Sequence, residues 1–173
     1  MTDTDQDMTD RPADAPDAST APDQLMILTF WIQGERFALK VQNVNEILDP
    51  IEETRVPNAP AWAPSLVNVR GNVVPMFDIR HRLGLGPAEP SPRARTVVLD
   101  VVIDDEPTRL AVRVEAVEDV VEADLKTFQA IPELGARWPA QFIDGIAQHG
   151  SDLVILLNTE TLFDVGRADS AAA

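Results

Sequence analysis

Leu66-Val-Asn-Val-Arg70-Gly71-Asn-Val-Val-Pro-Met-Phe77-Asp78-Ile-Arg-His-Arg-Leu83 reads as two short apolar runs folded about Arg70-Gly71-Asn72, then an aspartate and a turn of helix. Gly71 supplies the positive φ that a tight hairpin needs, and Asp78 is a good N-cap. The same order returns downstream. Phe142-Ile-Asp-Gly-Ile-Ala147 and Leu153-Val-Ile-Leu-Leu157 flank Gln148-His-Gly-Ser-Asp152, and the second run passes into Asn158-Thr-Glu-Thr-Leu-Phe163. Upstream of each hairpin lies a Pro-containing loop with a tryptophan, Pro57–Trp62 and Pro132–Trp138, and further upstream stand Val44-Asn-Glu-Ile-Leu48 and Val117-Glu-Asp-Val-Val121. These blocks recur at displacements of 73 to 80 residues, which predicts two related small β-units. Each would be marginal alone, so a shared apolar seam is expected.

Two further hairpins complete the pattern. Leu25–Ile32 turns at Gln33-Gly34-Glu35 into Arg36–Leu39, and Thr96–Ile103 turns at Asp104-Asp-Glu-Pro107 into Arg109–Val114. In that last strand Leu110, Val112 and Val114 alternate with Arg109, Arg113 and Glu115, the period of a half-buried strand. The fold class is therefore all-β, with short helical turns after strands. Residues 1–24, with seven Asp and three Pro and hardly any large aliphatics, read as a disordered acidic tail. Residues 166–173 read as a frayed C-terminus. The folded region is 25–165, divided near the Pro- and Gly-rich stretch 84–95 into subdomains of about 25–90 and 91–165, with exchange of strands at the ends allowed.

The chain has 173 residues, 29 Asp and Glu against 14 Lys and Arg, and a net charge of −15. Removing the tail takes away seven carboxylates and one arginine and leaves the body at −9, so the acidity is not only the tail's. Nucleic acid and direct membrane insertion are unsuitable partners for such a chain. The apolar runs are strand-length, short of the ~20 residues a bilayer span needs, and the N-terminus lacks a signal-peptide pattern, so a cytoplasmic location is expected. Without a single cysteine, disulfides, cysteine-ligated metals and thiol nucleophiles are excluded. His81 and His149 fall on a helical turn and a hairpin tip with no partner at ligand spacing, Gly84-Leu-Gly86-Pro87 suits a helix C-cap and linker, and Asp104-Asp105-Glu106 lacks calcium-loop spacing. No cofactor, no metal and no enzymatic activity are expected. Trp62, held between Pro60 and Pro64, reads either as an interface anchor or as a plug at the end of a barrel.

Asn68-Val69-Arg70-Gly71-Asn72-Val-Val-Pro75-Met-Phe-Asp78-Ile-Arg80 resembles the N-L-R-G-x-x-x-P-x-x-D-L-R stretch of the CheW family of chemotaxis coupling proteins. The likeness extends over Leu28-Thr-Phe30, Val44-Asn-Glu-Ile47, Thr54-Arg-Val-Pro57, Pro60-Ala-Trp62, Val114-Glu-Ala-Val117, Phe142-Ile-Asp-Gly-Ile146 and Leu156-Leu-Asn-Thr159. It implies two five-stranded SH3-like β-barrels about a pseudo-twofold. It also implies a non-catalytic scaffold that couples chemoreceptors, at their cytoplasmic hairpin tips, to the regulatory domain of a CheA-type histidine kinase in signalling arrays. A similar coupler serving surface motility or gene regulation is the alternative. By the resemblance Arg70 and Glu46 face one another beside a receptor groove, and Val44, Val97, Val117 and Val120 line it; barrel core is the competing reading for the valines. The kinase side falls on barrel ends, where Trp62 and Trp138 are the candidates. Three positions depart from the family pattern: Ser65 and Ala111 replace glycines, and Asn158 replaces an aspartate. Ser65 is expected near the groove, and Asn158 remains a competent cap.

Overall fold

The computed structural model describes residues 23–132 and 137–168. Its elements, in chain order, are β1 (Gln24–Ile32), β2 (Glu35–Lys40), β3 (Val44–Leu48), β4 (Glu53–Arg55), β5 (Ser65–Val69), β6 (Asn72–Phe77), α1 (Ile79–Leu83), β7 (Arg95–Ile103), β8 (Glu106–Val114), β9 (Ala116–Asp124), β10 (Ile143–His149), β11 (Asp152–Leu157), α2 (Thr159–Leu162) and α3 (Val165–Ala168).

The four hairpins are tighter than the sequence suggests. Gln33-Gly34, Arg70-Gly71 and Asp104-Asp105 are two-residue loops with positive φ at both positions, the geometry whose twist matches paired strands. Aspartate tolerates the left-handed region, so Glu106 and Pro107 are released into β8, where Pro107 lies opposite Val102. Gly150-Ser151 closes the fourth hairpin, and the strands run out to His149 and Asp152.

Two sheets result, one in the order β10-β11-β2-β1-β9 and one in the order β3-β7-β8-β6-β5-β4. A cut near residue 90 does not separate them. The first hairpin of each repeat is exchanged: β1 and β2 join β9, β10 and β11, while β7 and β8 join β3, β4, β5 and β6. Both exchanges are made by a parallel pairing, β11 on β2 and β6 on β8. The six-stranded sheet gains its extra strand because Glu53–Arg55 pairs with β5; in the other sheet the same flank of β10 carries, among the described residues, a single bridge, Gln129 to Ile146.

Exchange explains why so many strands read as unbroken apolar runs. One face of β1, β2, β7, β8 and β11 packs into a central cluster common to both sheets, with Leu28, Phe30, Phe37, Leu39, Val97, Leu99, Leu110, Val112, Ile155 and Leu157 among its members. The opposite faces fill each sheet's own smaller core, Val98 and Ala111 with Val67, Val69, Val74 and Met76 of β5 and β6 in one and Ile27, Ala38, Val154 and Leu156 in the other. Burial of a Leu or Phe side chain stabilises by about 1.5–3 kcal/mol, so the shared seam holds most of the stability. Arg82 ties the repeats further: its guanidinium donates from Nε to the Leu162 carbonyl at 2.9 Å and from Nη2 to the Asp164 carbonyl at 2.6 Å, and lies 5.0 Å from the Phe142 ring.

Both N-caps form. Asp78 Oδ1 accepts from the Arg80 N–H at 3.1 Å, and Asn158 Oδ1 accepts from Glu160 and Thr161 at 3.0 and 3.1 Å. Gly84 closes α1 at φ 69°. At the chain ends the expected limits shift. Of the acidic tail, residues 1–22 lie outside the described residues, but Gln24 opens β1 opposite Asp124, and Asp23 pairs with Lys126 at 2.6 Å. Of the frayed C-terminus, residues 169–173 lie outside the described residues, whereas Val165–Ala168 is helical, with Asp164 Oδ1 accepting from the Gly166 N–H.

Candidate functional site

Arg70 stands at φ 52° in the β5–β6 loop, and the neighbouring Gly71 N–H is fixed by Asn68 Oδ1 at 2.8 Å. Its Nε donates to both Glu46 oxygens at 3.2 and 3.0 Å, and Nη2 lies 2.9 Å from Oε2. A bulge in β3 between Val44 and Glu46 turns the carboxylate toward the loop. The pair is unequal in exposure, 74% for the Arg70 side chain and 19% for Glu46. The fold thus holds the carboxylate and presents the guanidinium to solvent. The hydrogen bond to Glu46 pushes the Arg70 pKa still higher, so the charge is permanent at any working pH.

Beside this pair is a second one that the sequence reading missed. Arg109 grips Asp100 with two bonds of 2.7 and 3.0 Å, and Asn45 donates to the same carboxylate at 2.8 Å. The Arg109 hydrogen bond, with Asn45 assisting against partial burial, holds the Asp100 carboxyl below its ordinary range. Glu46 also acts electrostatically on Arg109, so the two pairs belong to one charged network on the six-stranded sheet. The available signal was Asp100 itself, a charge inside the apolar run Val97–Ile103 opposite an outward-pointing arginine.

The valines divide. Val44 and Val117 are half-buried and pack against the edge of the central cluster, and Val120 is 45% exposed. Val97 is fully buried within the central cluster and cannot line a groove. The physical reason is that Val97, Val98 and Leu99 are consecutive in a strand covered on both faces, so none of the three reaches solvent.

Trp62 packs on Phe77 at 5.0 Å between ring centroids, and Trp138 meets Phe37 edge-on at 6.2 Å, both rings lying against the central cluster. Their half-buried rings are committed largely to the seam, which favours the plug over the anchor. Residues 133–136 of the Pro132–Trp138 loop lie outside the described residues. Ser65, expected near the groove, is buried in β5, and its hydroxyl donates to Glu53 Oε2 at 2.6 Å, tying β4 to the sheet. Ala111 is buried against the six-stranded sheet's own core.

Among the described residues no three His, Cys, Asp or Glu side chains are grouped to hold a metal ion, and no helix is long and apolar enough to cross a membrane.

Known proteins are similar to this chain over most of its length. The "Probable chemotaxis protein CheW" of Rhizobium etli is 28% identical over 145 residues, covering 84% of this chain and 91% of that protein. The chemotaxis protein CheW of Rhizobium meliloti is 25% identical over the same shares. Among solved structures, the scaffolding protein TtCheW from Thermoanaerobacter tengcongensis matches with a TM-score of 0.72 at 24% identity, over 82% of this chain and 88% of that one. The profile of the CheW-like domain matches residues 26–167, so both exchanged sheets and the Arg70–Glu46 pair fall inside the match, and the chain belongs to the CheW-like family.

Proposed function

We propose that this protein is a non-catalytic coupling scaffold that joins chemoreceptor hairpin tips to the regulatory domain of a CheA-type histidine kinase. The observation that carries the reading is the Arg70–Glu46 pair: a buttressed, permanently charged guanidinium that the fold exposes and does not need for its core. Val44, Val117 and Val120 supply apolar surface for a receptor helix, and the charge pair fixes its register. Family membership and the named relatives support the chemotaxis assignment. Modest affinity at each contact is expected, because arrays gain strength through multivalency.

The test has two arms. Calorimetric titration into the isolated regulatory domain of each CheA-type kinase of the same genome is expected to give saturable binding with one of them. Capture by a receptor cytoplasmic fragment is expected to fall about tenfold in Arg70→Glu, a reversed rim charge, with the thermal midpoint moved by at most a few degrees. Undiminished capture by a folded Arg70→Glu removes the pair from the receptor site. Absence of binding to every kinase domain removes the kinase from the proposal.

A further inference from the structure

The duplication lets each residue of one sheet be compared with its counterpart in the other. Paired registers equate Val67, Val69 and Val74 of β5–β6 with Ala147, His149 and Val154 of β10–β11, and therefore equate the loop residue Arg70 with Gly150. The bulged strands equate Glu46 with Asp119, and the exchanged hairpins equate Val98 with Thr29. In the six-stranded sheet the interior is closed by valines, and its mouth is occupied by the chain's own Arg70 bonded to Glu46.

In the five-stranded sheet every one of these substitutions removes bulk or adds polarity. Ala147, Thr29 and His149 replace three valines, and Gly150 replaces the arginine. The result is a cavity of about 360 Å³ floored by Ile27, Val121, Phe128 and Val154, within the size range of ligand sites. Asp119 and Glu122 are on its wall. Among the described residues the Asp119 carboxylate accepts from the N–H of the adjacent Val120 while its backbone carbonyl accepts from the Thr29 hydroxyl at 3.1 Å, and Glu122 makes no ion pair. Arg36, the arginine in its lining, is already paired with Glu118 at 2.8 Å and Asp152 at 3.5 Å.

We propose that this mouth is a docking site for an arginine or lysine side chain of a protein partner, which takes the place that Arg70 fills in the other sheet. Asp119 and Glu122 receive the cation, and Ile27, Val121 and Phe128 receive its methylenes and an apolar neighbour. A second copy of this chain is a poor occupant, since each carries a net charge of −15. The assignment needs neither the receptor nor the kinase proposed above.

The probe is the peptide acetyl-Leu-Arg-Leu-amide against the full chain, followed by amide chemical shifts, with the isosteric but neutral citrulline peptide as control. Saturable shifts are expected at Asp119, Val121, Phe128 and Gly150, about tenfold weaker with citrulline. Asp119→Asn is expected to weaken the arginine peptide by a similar factor while keeping the wild-type spectrum elsewhere. Gly150→Arg rebuilds the other sheet's self-filled mouth and is expected to abolish binding; Arg70 shows that this fold accepts arginine at a left-handed loop position. Equal binding of the two peptides, shifts centred elsewhere, no saturable shift, or full affinity in a folded Asp119→Asn each overturns the proposal.

Discussion

The two sheets are built from equivalent strands in the same order, β10-β11-β2-β1-β9 against β5-β6-β8-β7-β3, yet the mouth beside β5 is occupied by Arg70 bonded to Glu46 and the equivalent mouth beside β10 is open. Val67 and Arg70 fill the first where Ala147 and Gly150 remove bulk from the second, and Thr29 and His149 place polar groups where Val98 and Val69 are apolar. Opposite loops follow the same contrast: Arg70 is bonded to Glu46, whereas Gly150 supplies no cation to Asp119, which has no ion pair among the described residues. What duplication preserves is the backbone and the shared seam, and what it frees is each sheet's private face. A common seam with divergent mouths suits a scaffold that presents different surfaces to different partners.

The largest expected effect lies where the comparison would break altogether. Phe30 is fully buried in the common cluster, stacked 6.2 Å from Phe37. Phe30→Ala is expected to cost about 3–5 kcal/mol. Because the hairpins are exchanged, urea unfolding should remain a single transition by both fluorescence and circular dichroism. Two transitions would mean that the sheets are independent units and that the seam couples them weakly.

Next in size is a matched pair of alanines at equivalent places in β5 and β10. A Cβ on Gly145 meets the Phe128 Cβ at 2.9 Å and the Gln129 carbonyl at 3.2 Å, so Gly145→Ala must push the flanking segment away. A cost of about 1–3 kcal/mol is expected, with hydrogen-exchange protection lost first at the Gln129–Ile146 bridge. Ser65 has no such neighbour problem, since β4 lies in full register beside it. Ser65→Ala loses only the bond to Glu53, which Arg113 still holds at 2.7 Å, and about 1 kcal/mol is expected. Equal exchange profiles for the two variants would contradict the contrast drawn between the flanks.

The caps sharpen the comparison on a finer scale. Asn158→Ala removes two N–H contacts of α2 and a bond to Asp144, while Asp78→Ala removes one N–H contact of α1 and the 3.1 Å ion pair with Arg80. Each is expected to cost about 0.5–2 kcal/mol by denaturant titration. Asn158→Asp keeps the acceptor for Glu160 and Thr161 but replaces the donor to Asp144 with a second carboxylate oxygen, so it is expected to be less stable than the wild type near neutral pH.

Much of this organisation was legible in the sequence because turn chemistry and capping are local. Gly71, Asp78 and Asn158 act within a few residues of their own positions, so the hairpins and helical turns could be read directly. Exchange of strands at the ends was allowed for, but which hairpins cross could not be read. Periodicity says that Val97 is apolar, and only the packing of Val97 and Leu99 into the shared cluster and of Val98 into the sheet's own core says that both faces of β7 are covered. The run Val97-Val98-Leu99 held the clue, since a strand with one wet face alternates. The open mouth was invisible for a related reason: Thr29 comes from β1, Ala147 and His149 from β10 and Asp119 from β9, and a cavity is a sum over strands far apart in the sequence. Glu46 and Arg70 were readable through the family likeness, whereas Asp100 and Arg109 were not, because their pairing depends on the register of a hairpin whose loop proved two residues long.

The smallest effect separates Asp100–Arg109 from its counterpart, Trp31–Arg36. The same cross-strand position holds an ion pair in one sheet and a guanidinium 4.8 Å from an indole ring in the other. Only the first can titrate through its carboxylate. With Asp100 held below its ordinary value of about 3.9 by the Arg109 hydrogen bond, folding is linked to proton release at this site. The stabilisation is therefore complete above that ordinary value and is lost as pH falls through the lower folded one. Asp100→Asn should flatten the stability profile in that acidic window while leaving its slope above pH 5 unchanged (to within about the error of the method). The pair is half-exposed, so the difference should shrink further in molar salt. Trp31→Phe, which keeps a ring beneath Arg36, should leave the acidic limb as it is in the wild type. If that variant flattened the limb as well, the pH response would have to be shared by both sheets, and their charged positions would be more alike than their side chains suggest.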